Sequence, residues 1–239
     1  MTLEGTNTYV VGEGPAYVID PGPADPGHIE AIRTVAEPRG GIGGILLTHS
    51  HADHSQGAAM LEAPLMVGRI GTGSELDRRD LGVGERAEGG EVGPFTVLPT
   101  PGHAVDHVCL VLGRVCFCGD LVLGRGSSIV PPEALGGSLV DYMDSLASLG
   151  ALEAELLCPG HGPWITDPAA KIADYAEHRL ERERGLLVAL EAGERSRARL
   201  LDEVWNDVPD PMRAAAAFAM EAHLEKLQAE GRLPDSLRD

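Results

Sequence analysis

The chain has 239 residues, 43% hydrophobic and 23% charged, enough to bury a sizeable core as one large domain or as one main domain with an appendage. A formal net charge of −18 excludes a general electrostatic attraction to nucleic acid or anionic membrane and leaves only local basic patches open. No apolar run is long enough to span a membrane. Met1 leads into Thr2-Leu3-Glu4-Gly5-Thr6-Asn7 without the basic and apolar segments of a signal peptide, so a cytoplasmic protein with no membrane partner is expected.

Residues 8–11 and 16–20 read as two strands joined by Gly12-Glu13-Gly14-Pro15, and Asp20-Pro21-Gly22 ends the second. Residues 28–36 carry helical spacing at Ile29, Ile32 and Val35 and stop at Pro38. A buried strand is expected at 45–48, then a cluster of polar groups, then a helix starting at 55–61 that covers it. Strands follow at 65–67 and 95–98, separated by a polar, Gly-rich excursion over 68–93. Residues 108–112 and 115–118 form a hairpin around Gly113-Arg114. Residues 141–149 are an amphipathic helix, and 156–158 a last short strand.

From Thr166-Asp167-Pro168 onward the pattern is helical, with helices at about 168–192, 197–206 and 211–230 closed by Gly193, Pro209 and Gly231. The chain therefore divides at 165/166 into a larger α/β unit, 1–165, and a small helical one, 166–239. Cys109, Cys116, Cys118 and Cys158 lie in or beside apolar runs without CxxC pairing and are expected as buried thiols.

The chemistry concentrates in Gly44-Ile45-Leu46-Leu47-Thr48-His49-Ser50-His51-Ala52-Asp53-His54. Three histidines and an aspartate fall within six positions, directly after an apolar run. The same grammar recurs: His103 follows the strand at 95–98, Asp120 the hairpin, and His161 the last strand. Ligands collect outside the carboxyl ends of strands in open α/β sheets. Seven nitrogen and oxygen ligands are too many for one open catalytic site and divide into two incomplete spheres. His49 and His51 can address one ion, and Asp53 and His54 a second beside it. Two cations about 3.5–4 Å apart can hold a bridging hydroxide at neutral pH and polarise the group it attacks. Imidazole and carboxylate ligation suits zinc first, with iron or manganese as alternatives.

His49-Ser50-His51-Ala52-Asp53-His54 resembles the H-x-H-x-D-H signature of the metallo-β-lactamase superfamily, and His103, Asp120 and His161 fall in its later motifs in order. The resemblance implies a four-layer αβ/βα sandwich. It also implies one metal site of His49, His51 and His103, a second of Asp53, His54 and His161, and Asp120 bridging them. At finer grain, the Met1–Tyr9 stretch, Cys158-Pro159-Gly160-His161-Gly162 and Lys171-Ile172-Ala173-Asp174-Tyr175 are similar to the lactamase-beta-like branch. That branch includes a mitochondrial single-strand endoribonuclease and carries a C-terminal winged-helix-like domain. Its members have a further segment with a first strand before the Thr2–Asn7 motif, so either the start here is truncated or one sheet edge is bare.

His28, His107, His178 and His223 lack such context and read as structural or surface groups, although His107 could lie near the site. Gly102 and Gly160, each just before a ligand, are expected to permit tight turns. Gly124-Arg125-Gly126-Ser127-Ser128 follows Asp120 closely enough to line a substrate pocket, with Arg125 either an anion contact or a solvated loop residue. Tyr142 either faces the site or packs its helix. Arg179, Arg182, Arg184, Arg195, Arg197 and Arg199 alternate with Glu and read as a salt-bridged exposed face. The last helix pairs Glu221, Glu225 and Glu230 with only Arg213 and Lys226 and lacks the basic stripe of a groove reader. Its expected uses are covering the active site or forming a homodimer.

These residues describe a dinuclear metal-dependent hydrolase in which Asp53 orients or deprotonates the attacking water. The expected substrate is a small ester or thioester, as in glyoxalase II-like proteins. The alternatives are endoribonuclease action on single-stranded RNA and, in another class, a non-catalytic metal-binding scaffold.

Overall fold

In the computed structural model, which describes residues 5–67, 89–234 and 237, the strands form two sheets. In the first, β1 (Tyr9–Val11) pairs antiparallel with β2 (Ala16–Ile19), which runs parallel to β3 (Ile42–Leu46), itself parallel to β4 (Leu65–Val67). The second orders β5 (Gly90–Val92), β6 (Phe95–Pro99), β7 (Val108–Leu112), β8 (Val115–Gly119) and β9 (Leu156–Pro159), antiparallel except for the β8–β9 pair.

Alternation of side chains along the strands makes these sheets two layers of four. Ile19, Leu46, Phe95, Val97, Val108, Leu110, Phe117 and Cys158 meet between the sheets. The intervening positions Val18, Ile45 and Leu47 face outward onto Ile29 and Ile32 of α1 (Pro26–Ala36). Cys109, Cys116, Cys118 and Leu157 likewise face α3 (Leu139–Gly150) through Tyr142, Leu146 and Leu149. A one-residue slip would turn every one of these side chains to the wrong layer, which fixes register. All four cysteines are buried free thiols, as expected.

Two local readings change. The excursion expected over 68–93 contains strand β5; residues 68–88 lie outside the described residues. Gly90-Glu91-Val92 has no apolar alternation to announce a strand, and its pairing is set instead by a tight hairpin that brings Val92 opposite Phe95. The helix expected at 55–61 is one α-turn, α2 (Ala52–Ser55), followed by a 3₁₀ stretch at Gln56–Met60. Gly57 lies so close to the loop after β2 that a Cβ there would sit 2.6 Å from the Pro21 carbonyl oxygen, so the segment bends to stay against that loop.

The C-terminal part is three helices, α4 (Pro168–Glu191), α5 (Arg197–Val204) and α6 (Arg213–Ala229), around Leu186, Leu190, Leu200, Trp205, Met220, Leu224 and Leu227. Asp167 caps α4 by accepting from the Ala170 N–H, with Pro168 opening the first turn. Ala222 and Tyr175 join the core beneath the second sheet, so this unit is packed onto the sandwich. The exposed arginine face holds only in part. Arg184 pairs with Glu177 in solvent, but Arg179 is 4% exposed and Arg182 lies over Trp205 while gripping Asp207 with both nitrogens. Helix α4 is covered on two sides, so Tyr175, Arg179 and Glu183, four residues apart, share an interior face. Among the described residues no helix is long and apolar enough to cross a membrane.

Gly102 adopts φ +133, and a Cβ there would lie 2.4 Å from the Tyr142 Cα. Gly102→Ala is therefore expected to cost roughly 2–4 kcal/mol in strain and overpacking. Thermal melting should show Tm lowered by about 5–15 °C for a chain of this size; an unchanged Tm would contradict the packing. His223 is buried beside Trp205, and neither ring nitrogen has a hydrogen-bond partner among the described residues. Burial, reinforced by Arg179 and Lys226, pushes its pKa from 6.5 down to about 3. Between those values the unfolded chain binds a proton that the fold refuses, so stability rises with pH through this window and is lost as pH falls. His223→Leu should shrink the drop in denaturation midpoint between about pH 7.5 and pH 4.5, and a drop of the same size would show that another group causes it.

Candidate metal centre

Four strand ends deliver the polar groups to one edge of the sandwich. β3 runs through Thr48 into His49 and His51, and α2 then presents Asp53 and His54. β6 leads to His103, β8 to Asp120 and β9 to His161. His49 and His54 are fully buried, and His103, Asp120 and His161 are 8% exposed or less. All seven expected residues come together.

They form groups that could each hold an ion: His49, His51 and His103; Asp53, His54 and His161; and His49, His54 and Asp120, which links the other two. In the first, His51 Nδ1 lies 2.9 Å from His49 Nε2 and 3.0 Å from His103 Nε2. In the second, His54 Nε2 and His161 Nε2 are 3.3 Å apart, and Asp53 Oδ2 is 3.4 Å from His161 Nε2. Asp120 reaches both sides, with Oδ1 3.6 Å from His54 Nε2 and Oδ2 3.7 Å from His103 Nε2.

The hydrogen bonds behind the rings decide what the inner nitrogens can do. Thr48 Oγ1 donates to Asp20 Oδ2 at 2.7 Å, so it must accept from His49 Nδ1 at 3.0 Å. His54 Nδ1 donates to Asp20 Oδ2, His103 Nδ1 to the Ile129 carbonyl and His161 Nδ1 to that of Gly5. With Nδ1 carrying a proton, each of these rings directs Nε2 inward, bare where the ring is neutral and holding a proton where the ring is charged. Lone pairs and carboxylate oxygens facing one another at 3 to 4 Å repel unless protons or a cation lie between them, and the donor set fits divalent metal. Asp120 Oδ1 is buried with no hydrogen-bond partner among the described residues. Gly160 serves by lacking a side chain, not by turning the chain through positive φ. A Cβ there would fall 2.5 Å from Asp120 Oδ1 and 2.6 Å from His54 Cε1, filling the space between them.

Electrostatics separates the two groups. Burial, then the neighbouring imidazoles, push His49 well below its ordinary pKa and His51 down to about 3; burial also lowers His103. These rings are neutral, the form that ligates metal. Against the cost of burial, the Asp120 and Asp20 carboxylates hold His54 well above the usual imidazole value, and those of Asp120 and Asp53 push His161 up to about 10. Burial would raise Asp53 and Asp120, yet the His161 and His54 rings keep both below the ordinary carboxylate range. The second group thus demands cationic charge.

A cavity of about 300 Å³ opens over the cluster. His51, Asp53, His103, Asp120 and His161 form its floor, and Leu123, Ile129, Pro131 and Met212 its apolar wall, with Arg125 at the exposed rim. Met212 comes from the 3₁₀ turn before α6, so the C-terminal helical unit closes one side. Tyr142 does not face the cavity: it is fully buried in its helix packing, and its hydroxyl donates to the Leu121 carbonyl.

Two supporting residues escape a sequence reading. Asp20, held at φ 47 past the end of β2, binds Thr48 twice and orients His54. It obeys the same rule of a polar group after a short apolar strand, which would have found it. His107, read as a structural or surface histidine, is buried beneath Asp120 and accepts its backbone N–H at 3.2 Å while bonded to Thr100. His28 is bonded to Thr8, and His178 is half-buried, both away from the cavity floor.

The model of the metallo-beta-lactamase superfamily matches residues 1–71 and 57–161, and that of the beta-lactamase associated winged helix domain matches 198–235. The chain is 32% identical to the beta-lactamase-like protein 2 homolog of Drosophila melanogaster over 98% of its own length and 85% of that protein. It is 38% identical to an atrochrysone carboxyl ACP thioesterase from Aspergillus chevalieri, over 79% of this chain and 61% of that one. The crystal structure of a metallo-beta-lactamase family protein from Thermus thermophilus superposes with a TM-score of 0.68 at 24% identity, covering 95% of this chain and 89% of that one, a likeness of fold. With its two-sheet sandwich, buried His/Asp cluster and C-terminal helices, the chain belongs to the metallo-beta-lactamase superfamily as a metal-dependent hydrolase with an associated winged helix region.

Proposed function

We propose that this chain is a dinuclear hydrolase of small esters or thioesters. The observation that carries the reading is the pair of ligand groups, linked through Asp120, at the floor of a small cavity with a largely apolar wall. His49, His51 and His103 would hold one ion, Asp53, His54 and His161 the other, and Asp120 would join both. Two divalent ions, zinc first with iron or manganese as alternatives, would supply an activated water and Lewis-acid polarisation of the scissile carbonyl.

The protein's own groups do the rest. Asp53 is the accessible carboxylate of the cluster, its side chain 32% exposed against 11% for Asp120. Held ionised by His161 and His54, it orients the attacking water and takes its proton. Asp20 and the Ile129 and Gly5 carbonyls keep the ligand rings in the tautomer that faces inward. Leu123, Ile129, Pro131 and Met212 seat an apolar acyl group and exclude water from it.

The relative named a thioesterase supports this substrate class. RNA is disfavoured by the net charge of −18 and by a cavity lining in which, among the described residues, Arg125 is the one arginine or lysine.

The test is a panel of acyl thioester, oxoester, lactam and single-stranded RNA substrates at low salt, run on zinc-loaded wild type and Asp53→Asn. Thioester turnover is expected in the wild type, falling about 10²–10⁴-fold in the variant. RNA cleavage abolished by Asp53→Asn, with no thioester turnover, would replace this reading with the nuclease one.

A further inference from the structure

The segment after Asp120 forms both the cavity wall and the support of a proposed metal ligand, and it is suspended from α4. Tyr175 accepts from the Leu123 N–H at 2.9 Å and donates to the Gly126 carbonyl at 2.9 Å. One turn further along the same face, Arg179 donates to the Ser128 carbonyl, and its guanidinium lies 5.2 Å from the centre of the Tyr142 ring. The Ser128 hydroxyl donates back to the Asp120 carbonyl at 2.5 Å. The next residue, Ile129, accepts from His103 Nδ1 at 2.7 Å. The 128–129 unit is thus tied at three points, to α4, to Asp120 and to His103.

Arg179 is 4% exposed, has no carboxylate in ion-pair contact among the described residues, and leaves its Nε without a hydrogen-bond partner among them. Burying a guanidinium that faces no carboxylate is unfavourable in a way that burying an apolar side chain of similar volume is not. Its placement is accounted for by what it touches, the Ser128 carbonyl and the Tyr142 ring. We propose that Arg179 is a positioning residue. By anchoring the Ser128 carbonyl it sets the position of the Ile129 carbonyl, which fixes the tautomer and aim of His103. The C-terminal helical unit thereby builds the ion site of His49, His51 and His103 without contributing a ligand. The inference rests on the two-ion reading above, and predicts an effect confined to one of the two ions.

The test uses the full chain as wild type, Arg179→Gln and Arg179→Lys, with Arg184→Ala, whose exposed pair with Glu177 lies away from the site, as control. Apo protein is titrated with zinc against a chromophoric chelator, and with cobalt followed by its ligand-field spectrum; Tm is recorded alongside. Partners that orient a ligand typically contribute 10–100-fold in affinity. Arg179→Gln is therefore expected to weaken one ion by about that factor and leave the other near wild type. Arg179→Lys, which keeps one donor but not the planar stack, should fall between. Wild-type affinity for both ions in the variants, or equal weakening of both, would overturn the proposal and leave Arg179 a structural residue whatever its Tm. If Arg179→Gln does not fold, Arg179→Lys decides by the same criterion. Fewer than two ions on the wild type would overturn the dinuclear reading and this inference with it.

Discussion

The constraint on which the structure depends is the convergence of inward-facing imidazole nitrogens. His49, His54, His103 and His161 spend their outer N–H groups on Thr48, Asp20, Ile129 and Gly5, so their inner nitrogens face one another and must share a cation or hold protons. Crowding such nitrogens together with Asp53 and the nearly buried Asp120 is unfavourable by itself. Folding sustains it because the ligands sit just past rigid strands whose side chains alternate between two cores. Metal binding repays the repulsion, so affinity for the ions and the energy of the fold are linked.

This arrangement ties distant parts of the chain together. The Gly5 carbonyl fixes His161, and the Asn7 side chain donates to the Pro159 and Gly162 carbonyls around it. The end of β2 supplies Asp20, and α4 supplies the side chains that suspend the segment after Asp120. A small helical unit that contributes no expected ligand therefore has a part in the site's shape, through Met212 in the cavity wall and Arg179 behind it.

How much of this was legible in the sequence follows from what each residue's role depends on. The candidate ligands were legible because a metal site needs particular atoms at strand ends, and the spacing of His49, His51, Asp53 and His54 offers both. The sheets were legible where burial on both faces imposes an unbroken apolar run, as in 108–112 and 115–118, and not in Gly90-Glu91-Val92, whose pairing comes from its turn. Supporting residues were harder: Asp20 stands where the strand-end rule points, but the hydrogen bond through which Arg179 acts spans 51 residues and leaves no local pattern. Arg179 was concealed by glutamates on either side of it, which made a buried cation look like a member of a solvated face. Gly160 was visible, but its reason, the space between Asp120 and His54, is a tertiary fact.

The account's central claim is that two ions share this cluster, and anomalous diffraction from crystals of metal-loaded protein tests it most directly. The account predicts two peaks about 3.5–4 Å apart, one among His49, His51 and His103 and one among Asp53, His54 and His161, with Asp120 between them. A single peak, or density in neither group, would contradict it.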